Sequence, residues 1–129
     1  MPAIRDLPKL LANLDATRAP GRFVFVAAPA ERLADLPALA TIREDEGWCA
    51  VLRAADADAA QLPYDFVAAW ITLSVQSDLA AVGLTAAVSR ALAEAGIACN
   101  VLAGLHHDHL LVPEARADEA LAAIRALKG

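Results

Sequence analysis

The sequence predicts an α+β fold: antiparallel sheets with helices on one face, in two units of like element order. Three observations carry this reading. Residues 66–129 run strand, helix, strand, strand, helix, as judged from β-prone and amphipathic stretches. Residues 20–65 give a weaker version of the same order, leading into a strand at Trp70. The chain has 129 residues, enough for one compact domain or two very small ones sharing a core. The repeat is one of element order, not of residue identity, and its pattern is the split β-α-β type. With 58% apolar but only 5% aromatic residues, the core is expected to consist of Leu, Val, Ile and Ala.

Each element has a local cause. In "IRDLPKLLANLD" (4–15), Ile4, Leu7, Leu10, Leu11 and Leu14 stand at helical spacing, and Pro8 fits the first turn. "APGR" (19–22) is a turn, and "RFVFVAA" (22–28) is a short buried strand. "PAERLADLPALA" (29–40) gives one or two helical turns, broken by Pro37. "TIREDEGWCAVLRAA" (41–55) reads as two strands around an acidic turn, with Gly47 suited to a positive φ; the charge run is a solvated hairpin tip. A short helix (56–62) ends at "PYD". "FVAAWITLSV" (66–75) is a strand and "SDLAAVG" (77–83) a loop. "LTAAVSRALAEAG" (84–96) is a helix with Leu84, Val88, Ala91, Leu92 and Ala95 on one face, and Gly96 at its stop. "IACNVLAG" (97–104) and "HLLV" (109–112) are strands. The last helix places Ala117, Ala120, Leu121, Ile124 and Leu127 on one face. Its early acids Asp118 and Glu119 and late bases Arg125 and Lys128 suit the helix dipole.

Composition excludes several function classes. A net charge of −5, with bases scattered among acids, argues against nucleic acid as a partner. No run of 18 apolar residues is present, so no membrane span is expected. The N-terminus lacks a signal-peptide core. Cys49 and Cys99, in no CxxC pair, read as small buried thiols of a reducing compartment. The expectation is a soluble, cytoplasmic protein.

The stretch "SDLAAVGLTAAVSRALAEAGIACNVLAGLHHDHLLVP" (77–113) resembles the ACT domain, the small-molecule-sensing module of amino-acid metabolism. Gly83-Leu84 opening the helix, "LAEAGIACNV" and "HHDHLLVP" carry the resemblance. Together with Glu46-Gly47, "SDL…VGLTAAVS" and "HDH", they look like small stand-alone bacterial proteins with two ACT-like units. The resemblance implies ferredoxin-like βαββαβ units at 1–65 and 66–129, the first degenerate. It also implies ligand sensing without catalysis or cofactor, and pairing of units. The second unit ends at Lys128-Gly129 without a fourth strand. Either another segment supplies that strand or the sheet stays open, and an open edge invites a partner. A homodimer is therefore expected.

The candidate site is the loop Ser77, Asp78, Val82, Gly83, Leu84 and Thr85. The N–H groups of a helix start attract a carboxylate without any basic side chain, and Gly83 permits close approach. Asp78 offers the opposite charge for an α-amino group, and Thr85 a hydroxyl. Capping of loop and helix is the alternative role for Ser77 and Asp78. Asn100, in an otherwise apolar strand, is a secondary candidate because in ACT-like units this strand start lies beside the ligand loop.

All three histidines, His106, His107 and His109, fall in one turn around Asp108. They give neither the four ligands of a structural zinc site nor the three of a catalytic one, so no metal is expected. No nucleophile, phosphate loop or hydrolase motif stands at motif spacing, so no catalytic residue is assigned. His107 and Asp108 are placed at the pocket or between units. The reading is a non-catalytic module binding a small molecule, an amino acid by resemblance. The alternatives are a structural dimer without ligand and an enzyme built on the His cluster.

Overall fold

The structure, a computed structural model, describes residues 3–128; the Gly129 of the C-terminal reading lies outside them. The chain forms two compact units, one running up to Pro20 and resuming at Ala69, the other being Gly21–Ala68. The ACT-like division at 65/66 therefore does not coincide with the compact bodies, because the first residues of the chain pack with the last.

The larger unit holds α1 (Leu7–Ala12) and β1 (Ala16–Arg18). It also holds most of a strand that begins in the other unit, here called β5 (Val67–Leu73). After β5 come α3 (Leu84–Glu94), β6 (Asn100–Ala103), β7 (Asp108–Pro113) and α4 (Ala117–Arg125), a single 3-10 turn preceding α4. Its strand order is β1-β5-β7-β6. The fourth strand sought at the C-terminus is β1: Ala16, Thr17 and Arg18 pair antiparallel with Leu73, Thr72 and Ile71. Of the two alternatives, another segment supplying the strand or an open edge, the structure shows the first, and this removes the missing strand as a reason for a dimer. The structure corrects the helix expected over 4–15, which stops at Ala12.

The period of two decides which residues of this sheet face the helices. Ala69, Ile71 and Leu73 of β5, with Leu110 and Val112 of β7, join Val88 and Leu92 of α3 and Ala117, Ala120 and Ile124 of α4 in one buried cluster. Leu121 packs at its margin. Leu10, Leu14 and Ala16 are fully buried in the same cluster. Polar contacts fasten β1 as well. Arg125 donates to Asp15 Oδ1 and to the Ala16 carbonyl, both at 2.9 Å. Ser74 Oγ accepts from the Asp15 N–H and donates to its carbonyl, both at 2.9 Å.

The smaller unit holds β2 (Phe23–Ala27), a 3-10 helix (Ala30–Asp35), β3 (Ala40–Glu44), β4 (Gly47–Arg53) and α2 (Ala54–Ala59). Its strand order is β3-β4-β2-β5, with Val67 and Ala68 of β5 opposite Val24 and Phe23. Val24, Val26, Ala28, Ala50, Leu52, Ala54, Ala57 and Leu62 form its core. Both units thus have the ferredoxin-like α+β arrangement, each with the order fourth-first-third-second strand.

Candidate functional site

The loop between β5 and α3 is shaped by the N-terminus of the chain. The Ile4 N–H donates to the Gln76 carbonyl (2.8 Å), and the Asp78 N–H to the Ile4 carbonyl (2.9 Å), so Ile4 runs as a parallel bridge beside Ser77. Asp78 closes the turn: its Oδ1 accepts the Ala80 N–H at 2.8 Å and its Oδ2 lies 3.3 Å from Arg5 Nε. The Ala80 N–H, then Arg5, holds the Asp78 carboxyl below the usual aspartate range.

Gly83 precedes α3 with φ +107°, and a Cβ there would stand 2.8 Å from Leu7 Cδ2. Two constraints therefore meet at this glycine, a left-handed backbone and contact with α1. Gly83→Ala should cost about 1–2 kcal/mol for the backbone alone, plus the displacement of Leu7. In urea unfolding, adding Leu7→Ala should relieve only the steric part. Additive losses in the double variant would refute that contact. Gly83 carries no side chain to cap α3, so N–H groups of the first turn face outward unpaired by the helix.

A cleft of about 140 Å³ opens there, lined by Ser77, Asp78, Leu79, Ala81, Gly83, Leu84, Thr85, Ala103 and Asp108. Five of the eight expected residues, Ser77, Asp78, Gly83, Leu84 and Thr85, are brought together. The other three stand elsewhere. Val82 is 82% exposed and does not line the cleft. Asn100 is on the edge strand β6, donating to the Leu111 carbonyl at 3.2 Å. His107 points at β5, its Nδ1 at 3.0 Å from the Leu73 carbonyl and 3.3 Å from that of Val75.

Asp108, expected together with His107 at the pocket or between units, does line the cleft. It is 9% exposed, on the helix side of β7 with Leu110 and Val112. Among the described residues no hydrogen bond or ion pair reaches its carboxylate, although it lines the cleft. Its oxygens are not sealed from solvent, since no buried side-chain N or O among the described residues lacks a partner, and the open cleft is the direction from which a ligand donor can come. In the smaller unit Trp48 holds the corresponding place, before Ala50 and Leu52, and Pro29 follows the first strand almost at once, so the charged loop is not repeated.

The histidines do other work. His109 Nδ1 lies 2.9 Å from Thr72 Oγ1, which accepts Trp70 Nε1–H at 3.1 Å, and its ring packs 5.1 Å from that of Trp70. Since Trp70 can only donate, the Thr72 hydroxyl is free to donate to Nδ1, which suits a neutral imidazole. Burial, then the neighbouring His107, lowers the His109 pKa, with Asp108 opposing. A lowered folded value means the unfolded chain takes up the proton first. Stability should therefore fall as pH drops below about 6.5, the ordinary histidine value. His109→Gln should flatten the slope of melting temperature against pH between 7 and 5; an unchanged slope would show that His109 is not its source. No group of three or more His, Cys, Asp or Glu able to hold a metal occurs among the described residues, and no helix there is long and apolar enough to cross a membrane.

Comparison with known proteins agrees with this geometry. ACT domain family models match residues 2–69 and 66–126. A Vibrio cholerae protein of unknown function is 38% identical over 95% of this chain and 96% of its own, with a TM-score of 0.86. An Agrobacterium tumefaciens protein is 20% identical, with 89% of each chain covered and a TM-score of 0.62. The regulatory subunit of aspartate kinase from Thermus thermophilus shares the fold at 10% identity, over 88% of this chain and 97% of its own, with a TM-score of 0.61. A comparison with curated protein sequences finds no match. With two family matches that together span nearly the whole chain, and two ferredoxin-like units in the structure, the chain belongs to the ACT domain family.

Proposed function

We propose that this protein senses a small compound carrying both an ammonium and a carboxylate, of the amino-acid class, and performs no chemistry on it. The site is the cleft of Ser77, Asp78, Gly83, Leu84, Thr85 and Asp108. The observation that carries the reading is Asp108: a buried carboxylate facing a cleft and lacking a donor is suited to receive an ammonium. The ligand's carboxylate then meets the first turn of α3, where N–H groups and the helix dipole favour negative charge. Asp78 keeps its place in the cleft wall, but its oxygens are engaged by Ala80 and Arg5, so the ammonium role passes to Asp108. The cleft is smaller than the roughly 300 Å³ at which drug-sized pockets begin, and this favours a small ligand. ACT membership, and a fold shared with a regulatory subunit of aspartate kinase, support a sensing role.

A thermal-shift panel of the free amino acids tests the proposal. A ligand at 100 times its Kd adds about 2.7 kcal/mol, which moves the melting temperature of a domain this size by several degrees. No shift with any member would end the reading.

Output through self-association is part of the proposal. Leu79, Val82 and Leu105 are 69%, 82% and 71% exposed, on the two loops at this end of the unit, and a second copy could cover them. Light scattering should show a dimer; a 13.5 kDa species alone at high concentration would exclude it.

A further inference from the structure

We infer that Arg5 determines the specificity of the cleft: by holding Asp78 it makes that side accept a carboxylate, so the site selects compounds with both charges over simple amines. The inference rests on the reading above, in which Asp108 takes the ammonium. Two carboxylates, Asp78 and Asp108, line the cleft, and no basic side chain does. Left uncompensated, this pair would repel an anionic group and favour any amine. The cation that changes the balance is Arg5, with Nε 3.3 Å from Asp78 Oδ2.

The backbone delivers Arg5 to this place. Its neighbour Ile4 is tied on both sides of Ser77, through the Gln76 carbonyl at 2.8 Å and the Asp78 N–H at 2.9 Å. Nε lies 3.3 Å from Asp78 Oδ2, and the terminal nitrogens of Arg5 make no hydrogen bond among the described residues. A guanidinium so placed can present its remaining donors to a ligand carboxylate in fork geometry. The Arg5 side chain is 71% exposed, and an ion pair that open to water contributes little to folding. Its consequence therefore lies in what the cleft admits. Arg5 also lies far from the 66–126 match that contains the rest of the cleft, so a reading of that segment alone does not include it.

The experiment compares alanine with ethylamine and serine with ethanolamine, each pair differing by the carboxylate, on the full chain by calorimetry. Wild type should bind the amino acid of at least one pair more tightly than its amine. Arg5→Gln should weaken the amino acid about tenfold, the low end for a hydrogen bond to a charged group, while the amine binds as well or better. The ratio of the two affinities is the readout, since general damage to the loop lowers both together. Arg5→Lys should restore part of the ratio as a point charge. An unchanged ratio in Arg5→Gln, or a parallel loss of both ligands, overturns the inference and leaves the sensing proposal standing. Tighter amino-acid binding in Arg5→Gln overturns it too, because Arg5 would then be a competitor for Asp78. If neither member of either pair binds wild type, while another amino acid shifts its melting temperature, that amino acid and its own amine replace them. If nothing in the panel binds, both readings fall together.

Discussion

Asp108→Asn should melt at or above the wild-type temperature while binding small amino acids ten- to a hundredfold more weakly. The two halves of this expectation have one cause. In the free protein the Asp108 carboxylate is 9% exposed and has no hydrogen-bond donor among the described residues. Its oxygens reach solvent only through the cleft, and partly withdrawing an ionised group from water without a protein partner carries a desolvation cost before any ligand arrives. The amide has nearly the same shape and no charge, so it fits the space between β7 and α3 and relieves that penalty. A ligand ammonium, however, then loses a charged acceptor, worth about 1.5–3 kcal/mol. Stability gained where function is lost marks a residue kept for binding. Paired thermal unfolding and calorimetry would decide the matter. Undiminished affinity in Asp108→Asn would move the ammonium elsewhere. A melting temperature several degrees lower would make Asp108 a structural residue with a partner in solution.

The sequence made much of this legible, and the gaps have physical reasons. Short β-prone apolar runs bounded by turn residues located β2, β4, β5 and β7, whose consecutive residues are buried, and helical spacing located α3 and α4, which each bury one face. The three-residue β1 was hidden for the opposite reason. Its Ala16-Thr17-Arg18 has no periodic signal of its own, and the leucines before it read as one long helix. What makes it a strand is a tertiary event, pairing with Ile71, Thr72 and Leu73. The loop 77–85 was visible through Gly83 and the helix start. Arg5 and Leu7 were not, since nothing local says that they meet residues more than seventy positions away. Asp108 was legible beside His107, and its place has a reason: with Leu110 and Val112 it shares one face of the strand at period two, where a carboxylate is the exception that calls for a partner. The structure gives His107 and His109 packing and hydrogen-bonding roles against β5.

Removal of residues 1–18 should leave residues 69–128 without a cooperative unfolding transition, although the second ACT match spans only 66–126. The deletion takes away Leu10, Leu14 and Ala16, all fully buried in the core of that unit. A single buried Leu→Ala change costs about 2–5 kcal/mol, so losing both leucines outright approaches the 5–15 kcal/mol by which a domain is stable at all. The backbone loss is of the same kind. β5 would expose the groups that now pair with β1, an unprotected edge open to aggregation, and Arg125 would lose its acceptors at Asp15 and Ala16. The milder variant Leu14→Ala keeps β1 in place and should lower the unfolding free energy by about 2–5 kcal/mol, read as a lower urea midpoint at unchanged slope. It should weaken amino-acid binding much less than Asp108→Asn does, because it leaves Arg5, Asp78 and Asp108 in position. A sharp, reversible transition in the 19–129 fragment would mean that β1 is an accessory to a self-sufficient C-terminal unit. Its absence, with Leu14→Ala intermediate between fragment and wild type, would make the first eighteen residues an integral part of the unit that carries the cleft.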